Sequence, residues 1–421
     1  MEEKHVVLIG TGFAGLQVIN KLAYKKGIKV TAIDKNNHHL FQPLLYQVAS
    51  SVLSPADIAI PTRSLTTSMR NIQVVMGEVL DVNLEHKKIN LENTTITYDY
   101  LVFAMGARTS YFGNNHWKKF APGLKNIGDA LKIRKNILVS FEKAELERNP
   151  DKIKQLLTFV VVGGGPTGVE MAGSIAELSR KIIREDFRFI DPAKSKVILI
   201  EAGPRLLPSF SEKSSNITMK ELEKRGVKVM VNTMVKDINE EGVHLDGEVI
   251  NSQNIIWCAG VAASPLTQKL NIELDRASRI VVDEFCSIKE YPEVFAIGDV
   301  ASFMDTKTKR PLPGVSPVAM QQGRYVADLI YREIKGKKRE KSFNYIDKGS
   351  MATIGRKDAV AEMGNMKLSG TLGWLAWLFI HLFYQVGFKN KVSILITWIW
   401  SYISFKAGAR LIQSESDSKE E

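Results

Sequence analysis

The chain has few cysteines, and its two apolar, uncharged C-terminal runs are short. Its 421 residues contain only Cys258 and Cys286, which lie 28 positions apart. This excludes a disulfide-rich fold, a Cys-x-x-Cys redox pair and a cysteine metal cluster. We expect a reduced chain, with a disulfide as the alternative. The uncharged runs Leu372 to Phe388 and Ser393 to Phe405 have 17 and 13 residues, so the longer one is at the lower limit for crossing a bilayer.

The sequence predicts no N-terminal targeting segment. The first predicted strand begins at His5 or Val6, so we expect no signal or transit peptide and a cytoplasmic location. Lysine and arginine number 57 against 46 acidic residues, a formal net charge of +11. A basic surface suits nucleic acid, anionic lipid or nucleotides, and charge alone does not choose among them. The length suits two or three domains.

A glycine-rich turn follows the first predicted strand. The strand ends in Gly10-Thr11-Gly12-Phe13-Ala14-Gly15, a predicted helix runs from Leu16 to Lys26, and the strand from Lys29 ends in Asp34. This order of strand, turn, helix and strand predicts a βαβ unit with a dinucleotide fingerprint. Predicted strands around Val74–Val79 and Tyr100–Ala104 follow.

The same pattern restarts about 150 residues later. A predicted strand, Thr158–Val162, leads into Gly163-Gly164-Gly165-Pro166-Thr167-Gly168, and a return strand ends in Glu201. The 33 positions from Gly168 to Glu201 are a long spacing, and we expect the charged insert Arg180–Lys196 to extend the helix. Two copies of one unit predict two dinucleotide sites.

Each residue type in these turns has a physical role. The three glycines permit a tight turn, close approach of the backbone to a pyrophosphate, and close helix–strand packing, while the helix N terminus attracts phosphate. Asp34 and Glu201 are placed to accept hydrogen bonds from a ribose diol. A carboxylate repels a 2′-phosphate, so Glu201 favours NADH over NADPH. Two such sites predict hydride transfer from a nicotinamide nucleotide to a flavin.

The lack of cysteine thiols near the predicted flavin site limits the possible electron acceptors. Flavoprotein disulfide reductases with two dinucleotide sites carry a pair of nearby cysteines beside the flavin, but residues 38–50 of this chain contain none, and neither Cys258 nor Cys286 matches such a position. Electrons would therefore pass directly to a quinone, a small electron-carrier protein or oxygen. The predicted turn at Gly298-Asp299 indicates that the first copy holds FAD, and a helix is predicted from Val318 to Ile334.

Several motifs together resemble the type II NADH dehydrogenases, a family of glutathione-reductase-like two-dinucleotide flavoproteins. Besides the two turns, they are residues 38–47 (HHLFQPLLYQ), 257–260 (WCAG), 298–299 (GD), 319–323 (AMQQG) and the apolar C terminus. The resemblance covers essentially the whole chain. It implies a respiratory enzyme that transfers hydride from NADH to FAD and two electrons to a membrane quinone, without proton pumping.

The resemblance also assigns site residues. It implies FAD contacts from the first turn and from its neighbours Asp34, Lys35, Gln42, Pro43, Val79, Ala104, Gly106 and Asp299. It implies NADH contacts at Gly163, Gly165, Gly168, Glu201 and Gly260. No metal is expected.

Two further residues are implied as catalytic. Glu170 matches a helix glutamate near the junction of nicotinamide and flavin, and Gln321 matches a quinone-side glutamine. The alternatives are a helix-start acid that complements the helix dipole and a solvated polar residue. Relatives often carry a second glutamine four positions before Gln321, but this chain has Pro317 there.

The implied fold is α/β, with two Rossmann-like dinucleotide-binding domains and a C-terminal helical membrane-associating module. We expect FAD-binding segments at 1–120 and 286–345, an NADH-binding domain at 121–285 and a membrane-anchoring domain at 346–421. Tryptophan and tyrosine in the two apolar runs suit the headgroup level, and Lys389, Lys391, Lys406 and Arg410 could meet anionic lipid. We interpret both runs as helices lying in one leaflet. A transmembrane hairpin and the core of a homodimer are the alternatives.

Two other functions remain open from the sequence. An NAD(P)H-dependent reductase of a ferredoxin-type carrier would show little quinone activity and would become soluble after deletion from Gly370 onward. A flavin-bound NADH sensor would bind without useful turnover. Nucleic-acid binding is not favoured, because the clustered charges at residues 335–339 are typical of a solvated loop.

Overall fold

The computed structural model describes residues 3–404 and 408–412, and the chain divides into two compact units. Unit 1 comprises residues 1–40, 59–108 and 261–348, and unit 2 comprises residues 41–58, 109–260 and 349–421. Phe405, Lys406 and the acidic C-terminal tail lie outside the described residues. The four-segment domain division given above stays a prediction.

Unit 1 is built on a six-stranded sheet that is parallel except for one edge strand. The first strand, Lys4–Ile9, lies near its centre, and Val6, Val7 and Leu8 are fully buried, as a strand covered on both faces requires. The strand order across the sheet is Ser287–Ile288, Tyr291–Ala296, Tyr100–Phe103, Lys4–Ile9, Ile28–Asp34 and Ile72–Met76. Ser287–Ile288 is the antiparallel edge.

The helix after the first turn is shorter than the sequence predicts. It spans Phe13–Leu22, because Tyr24 and Gly27 take positive φ angles of 62° and 78°, which break a right-handed helix. The remaining helices of unit 1 are Thr62–Thr66 and Ser316–Ile334, with short 3₁₀ turns at Pro265–Lys269 and Gly298–Val300. Its smaller strands are His38–Leu40, Ala59–Pro61, Asp81–Asn83, Lys88–Asn90, Thr95–Thr97, Ile280–Val282 and Ala301–Phe303. Ala107–Thr109 and Val261–Ala263 lie at the sequence boundaries of the units.

Unit 2 repeats the parallel arrangement with four strands. Their order is Val227–Met230, Lys196–Ile200, Thr158–Val162 and Asn254–Trp257. A small antiparallel sheet contains Asp237–Ile238, Gly242–His244 and Val249–Asn251. The helices before the C-terminal module are Leu45–Ala49, Pro55–Ile58, Ile127–Leu146, Pro150–Leu156, Pro166–Glu177 and Glu212–Lys224, with 3₁₀ turns at Gln42–Leu44, Asn115–Lys119 and Pro192–Lys194.

The charged insert extends the helix by only one π-helical turn, so the prediction is wrong for most of the insert. The helix ends at Glu177, one π-helical turn follows at Leu178–Ile182, and the chain then runs as turns. The carboxylate of Glu145 accepts hydrogen bonds from the backbone N–H groups of residues 188, 189 and 190 at 2.8–3.1 Å. These N–H groups are therefore satisfied by a side chain rather than by a helical ladder.

The C-terminal module contains a sheet that the sequence did not predict. Its antiparallel strands are Ser350–Gly355, Asp358–Met363 and Met366–Ser369, and the helices Gly370–Tyr384 and Phe388–Ser404 follow. The first strand packs on the helix Pro166–Glu177 at Gly173, where a Cβ atom would overlap the carbonyl oxygen of Ile354. Within residues 3–404 and 408–412, no helix is both long enough and apolar enough to span a bilayer.

Candidate functional sites

The first glycine turn has two tightly packed glycines and one open glycine. Gly10 has a φ of +103°, and a Cβ atom there would overlap the carbonyl oxygen of Ala104. A Cβ on Gly15 would overlap the carbonyl oxygen of Gly10, whereas a Cβ on Gly12 would meet no described atom within 4 Å. The first and third glycines therefore serve the fold, and the second leaves backbone accessible at the start of a helix. This is the arrangement that a pyrophosphate cradle requires.

The second glycine turn repeats this arrangement position by position. Gly163 has a φ of +112°, and its Cβ would lie 2.7 Å from the backbone nitrogen of Ala259. A Cβ on Gly168 would overlap the carbonyl oxygen of Gly163, and one on Gly165 would meet no described atom within 4 Å. The duplication inferred from sequence is therefore also a duplication of site geometry.

The acidic residues that follow the turns hold them by hydrogen bonds. Asp34 accepts bonds from the Thr11 N–H at 2.7 Å, the Thr11 hydroxyl at 2.9 Å and the Asn36 N–H at 2.8 Å. Glu201 accepts from the N–H groups of Gly164 and Gly203, each at 2.6 Å. Each of the two carboxylates has at least one oxygen with a further acceptor site, so a ribose contact stays compatible with this structural role. The sequence indicated the ribose role and not this one.

His39 is a buried neighbour of the first turn that sequence reasoning missed. Its Nδ1 lies 3.0 Å from the carbonyl oxygen of Thr11, and its ring meets Phe13 edge-on at 5.4 Å between centroids. Burial lowers the pKa of His39 and keeps the ring neutral. Its Nε2 is buried without a hydrogen-bond partner among the described residues. An orphaned buried nitrogen beside a phosphate cradle fits a site completed by a ligand.

Unit 1 brings the turn at Asp299 to the same helix start. Gly298 has a φ of +72°, and its Cβ position lies 3.5 Å from the Cβ of Ala14 and 3.2 Å from that of Ala319. The Gly298 N–H donates to Oε1 of the buried Gln322 at 2.7 Å. Gln322, the residue that follows the predicted quinone-side Gln321, therefore supports this turn.

The other predicted FAD contacts in unit 1 lie around this frame. Ala104 packs against Gly10 through its carbonyl, and Gly106 has a φ of +68° with open space at its Cβ position. Lys35 is exposed, and Val79 lies in the loop after the strand Ile72–Met76, partly buried against the core. Their contacts with FAD stay predictions.

Glu170 is buried inside unit 2 with few hydrogen-bond donors. One carboxylate oxygen lies 3.4 Å from the backbone nitrogen of Thr353, which donates to it. Burial raises the pKa of Glu170 to about 8, and the Thr353 N–H and the nearby Trp377 indole oppose this only in part. The indole Nε1 makes no hydrogen bond of normal geometry to any described residue. At neutral pH Glu170 is therefore mostly the neutral acid.

A hydrogen-bonded aromatic cluster lies beside Glu170 and was missed by sequence reasoning. Gln47 donates to the Tyr46 hydroxyl at 2.9 Å and accepts from the Trp398 indole at 2.7 Å. Trp377 stacks on His381 at 4.0 Å between ring centroids. Burial lowers the pKa of His381 to about 4. The helix Phe388–Ser404 is therefore tied to the helix Leu45–Ala49 of unit 2 by a buried side-chain hydrogen bond.

Gln321 makes a structural contact in unit 1. Its Nε2 donates to the carbonyl oxygen of Ile346 at 2.9 Å, and its Oε1 accepts from the Ile346 N–H at 3.0 Å. Pro317 occupies the first turn of the helix Ser316–Ile334, where a missing N–H costs nothing. The quinone role of Gln321 stays a prediction.

Three further predicted contacts belong to unit 2. Gln42 is exposed and donates to the Lys125 carbonyl at 3.4 Å, with Pro43 next to it in a 3₁₀ turn. Gly260 has a φ of +76°, and its carbonyl accepts from the Ser110 N–H at 3.3 Å. Their predicted places near the flavin and nicotinamide rings remain untested.

The two cysteines are free thiols held in their neutral form. Burial raises the pKa of Cys258 to about 12 and that of Cys286 well above its ordinary value. Because the thiolate is the reactive species, neither is suited to relay electrons at neutral pH.

Known proteins match this chain over most of its length. The profile of the family described as pyridine nucleotide-disulphide oxidoreductase matches residues 4–323, and that of the NDH2 C-terminal domain matches residues 348–404. A curated protein of Mycobacterium tuberculosis, named type II NADH:quinone oxidoreductase Ndh, is 42% identical over 97% of this chain and 90% of its own length. A type II NADH:quinone oxidoreductase of Staphylococcus aureus is 32% identical over 88% of this chain and 92% of its own length.

The fold agrees with solved structures as well. NDH2 from Plasmodium falciparum in complex with NADH superposes with a TM-score of 0.89 at 23% identity, covering 98% of this chain and all of that one. The predicted α/β class with a C-terminal helical module is confirmed, as is the predicted resemblance. This chain belongs to the type II NADH:quinone oxidoreductase family.

Proposed function

We propose that this protein oxidises NADH and passes two electrons, by way of FAD, to a membrane quinone without pumping protons. The observation that carries this proposal is the duplicated glycine cradle in a chain whose M. tuberculosis relative, named for NADH:quinone oxidoreduction, matches 97% of its length. A single cradle would serve one dinucleotide, whereas two suit a nicotinamide nucleotide and a flavin.

The first cradle would hold FAD. Gly12 leaves room for the pyrophosphate at the start of the helix Phe13–Leu22, and Asp34 keeps lone pairs for the ribose while bonding to Thr11. Asp299 lies on a turn that packs on the same helix start. FAD supplies an acceptor for hydride and a donor of two electrons.

The second cradle would hold NADH. Gly165 offers the same open backbone, and Glu201 places a negative charge at the turn that disfavours a 2′-phosphate. We therefore propose a preference for NADH over NADPH.

Glu170 is proposed to hold a proton for the reaction. Quinone reduction consumes protons, and a carboxylic acid with a pKa of about 8 carries one at neutral pH. Gln321 is proposed to act on the quinone side, with the Ile346 backbone fixing its amide plane. A quinone site with two glutamines four residues apart is not available here, because Pro317 occupies the other position.

The C-terminal helices are proposed to rest on the cytoplasmic face of the membrane as a monotopic anchor. Trp377 and Trp398 face inward, whereas the outer faces expose large apolar side chains. These are Leu372, Leu375, Phe379, Phe383, Phe388, Ile396, Ile399, Trp400 and Ile403. Such a face suits insertion into one leaflet. Alternatively, this apolar face is buried in the interface of a homodimer. Binding of the monomer to lipid would exclude that alternative.

The test of the reaction uses purified, detergent-solubilised protein under anaerobic conditions. NADH should bleach the flavin absorbance faster than NADPH does, and a short-chain quinone should restore it. Bleaching without recovery by quinone would favour a carrier-protein reductase or a sensor. A colourless protein that takes up no added FAD would contradict the proposal, because the proposed reaction needs a bound flavin.

A further inference from the structure

A basic pocket opens in unit 2 at the end of a helix opposite to the second glycine turn. Its volume is about 280 Å³. The helix Pro166–Glu177 has 12 residues and is therefore about 18 Å long, which separates the pocket from the cradle at Gly165. The charged residues that line the pocket are Glu177, Arg180, Lys181, Lys224, Arg225 and Arg356.

The pocket carries more positive than negative charge. Glu177 pairs with Arg356 at 2.8 Å, and Glu221 pairs with Lys224 at 2.5 Å. Glu221 and Asp358 also pair with Arg225. Among the described residues, five cations are thus set against three carboxylates, which leaves two positive charges in excess. Among the residues that the structure describes, no carboxylate lies within ion-pair distance of Arg180 or Lys181.

Arg180 is held in place by neutral groups. Its Nε donates to the Ala193 carbonyl at 3.4 Å and its Nη2 to the Gly226 carbonyl at 3.2 Å. Its Nη1 is buried and has no hydrogen-bond partner within the described part of the chain. Burial lowers the pKa of Arg180, and no nearby carboxylate offsets that effect. A partly buried guanidinium without an anion is costly, and an oxyanion would compensate for it.

The pocket lies next to the surface proposed for the membrane. The Arg356 guanidinium lies over the Tyr402 ring at 5.2 Å from its centroid. Tyr402 belongs to the helix Phe388–Ser404, on which Trp400 and Ile403 are 63% and 75% exposed. A phosphate held at the pocket would therefore lie close to the helix that carries part of the exposed apolar surface.

We propose that this pocket binds a phosphate group, with Arg180 and Lys181 as the cations that recognise it. The phosphate could belong to an anionic lipid headgroup or be a free phosphate. The lipid source rests on the membrane docking proposed above, whereas the phosphate chemistry does not. Arg180 supplies planar donors suited to phosphate oxygens, and Lys181 supplies a mobile point charge.

The test uses the full-length flavoprotein with two probes. Inorganic phosphate is titrated against chloride of equal ionic strength while thermal stability is followed. Binding is also measured to vesicles of phosphatidylcholine alone and of phosphatidylcholine with phosphatidylglycerol. The variants are Arg180→Gln and Lys181→Gln, and Lys152→Gln is the control, because it removes the same charge from an exposed site of unit 2 outside the pocket lining.

We expect Arg180→Gln to weaken stabilisation by phosphate about tenfold, as loss of a charged hydrogen bond does. Lys181→Gln should weaken it about fivefold. Lys152→Gln should have no effect. If Arg180→Gln does not fold, because it also anchors two loops, Lys181→Gln decides the question. Equal responses of wild type, pocket variants and control would overturn the proposal, since phosphate would then act at the cradles or nowhere.

The vesicle arm identifies the source of the phosphate. Weaker binding of both pocket variants to phosphatidylglycerol vesicles, with competition by inorganic phosphate, supports a lipid headgroup. A response in the phosphate arm alone supports a free phosphate. Failure of the wild type to bind either vesicle would refute membrane docking while the phosphate arm still decides the pocket.

Discussion

Glu201 accepts a 2.6 Å hydrogen bond from the backbone N–H of Gly164, so the residue proposed to select NADH also holds its glycine turn. Asp34 bonds to Thr11 in the same way in unit 1. In both units a single carboxylate therefore fixes the backbone of the cradle and keeps lone pairs for a ribose. This double role has consequences for substitution.

Changing Glu201→Gln should lower the ratio of kcat/KM for NADH over NADPH about tenfold. The amide keeps one acceptor for the turn but loses the charge that repels a 2′-phosphate and strengthens ribose hydrogen bonds. Steady-state kinetics with both nucleotides measure the ratio. Glu240→Gln, at an exposed site of unit 2, is the control. An unchanged ratio would remove Glu201 from the site.

Gly12→Ala and Gly15→Ala should fail in different ways. Alanine at Gly12 meets no described atom within 4 Å, so the protein should fold normally but lose most of its FAD, because the methyl group occupies the pyrophosphate position. Alanine at Gly15 would overlap the Gly10 carbonyl and should cost about 1–3 kcal/mol of folding stability. Thermal unfolding and flavin content per protein separate the two effects. Full flavin content in Gly12→Ala would contradict the cradle.

Glu170→Gln should remove a pH dependence of stability. Burial raises the pKa of Glu170 from an ordinary 4.5 to about 8, so the unfolded chain releases this proton at lower pH than the folded one. The contribution of the neutral acid is full below about pH 4.5 and is lost as the pH rises to about 8, at a cost of about 3–5 kcal/mol. Urea unfolding at about pH 5 and about pH 9 measures it.

The glutamine variant should retain its stability between these two pH values, and Glu223→Gln, at an exposed site, should behave as wild type. If Glu170 supplies a proton, turnover of the wild type should also fall above about pH 8, and Glu170→Gln should be slow at every pH while still binding FAD. Full activity of Glu170→Gln would end its assignment as a proton donor.

Trp398→Phe and Trp400→Phe should separate packing from lipid contact. Trp398 is 2% exposed and its indole donates to Gln47 at 2.7 Å, so phenylalanine should cost about 1–3 kcal/mol by leaving the Gln47 oxygen unpaired. Trp400 is 63% exposed and should change stability little while weakening vesicle binding. Chemical denaturation and vesicle sedimentation provide the two readouts. The reverse pattern would mean that the outer face is not the lipid contact.

The parts of the fold that were predictable depend on short-range sequence signals. Both βαβ units follow from apolar runs that end in glycine turns, since the first and third glycines have geometric requirements that few other residues meet. The helix Ser316–Ile334 and the two C-terminal helices were also predictable, because each is a long segment that no glycine-rich turn interrupts. Such local patterns involve residues that are close together in the sequence, so they can be recognised without knowledge of the tertiary structure.

The parts that were missed depend on distant contacts. In the charged insert, backbone N–H groups donate hydrogen bonds to the Glu145 carboxylate, which lies more than forty positions away in the sequence. The bond between Gln47 and Trp398 spans 351 positions. The strands at 350–369 are short and carry mixed side chains, so no periodic pattern marked them. Gln322 was overlooked beside Gln321 because sequence cannot tell which of two adjacent amides faces the core.

The contact of Gly173 with Ile354 makes the C-terminal module part of the protein's interior. Removing residues from 349 onward would strip the Thr353 N–H and the Trp377 ring from Glu170 and open the helix Pro166–Glu177 to water. Truncation is therefore the wrong route to a water-soluble variant for crystallisation or screening. Replacing outward-facing residues such as Phe379 and Ile403 with polar ones should remove the proposed lipid contact and leave both glycine turns intact.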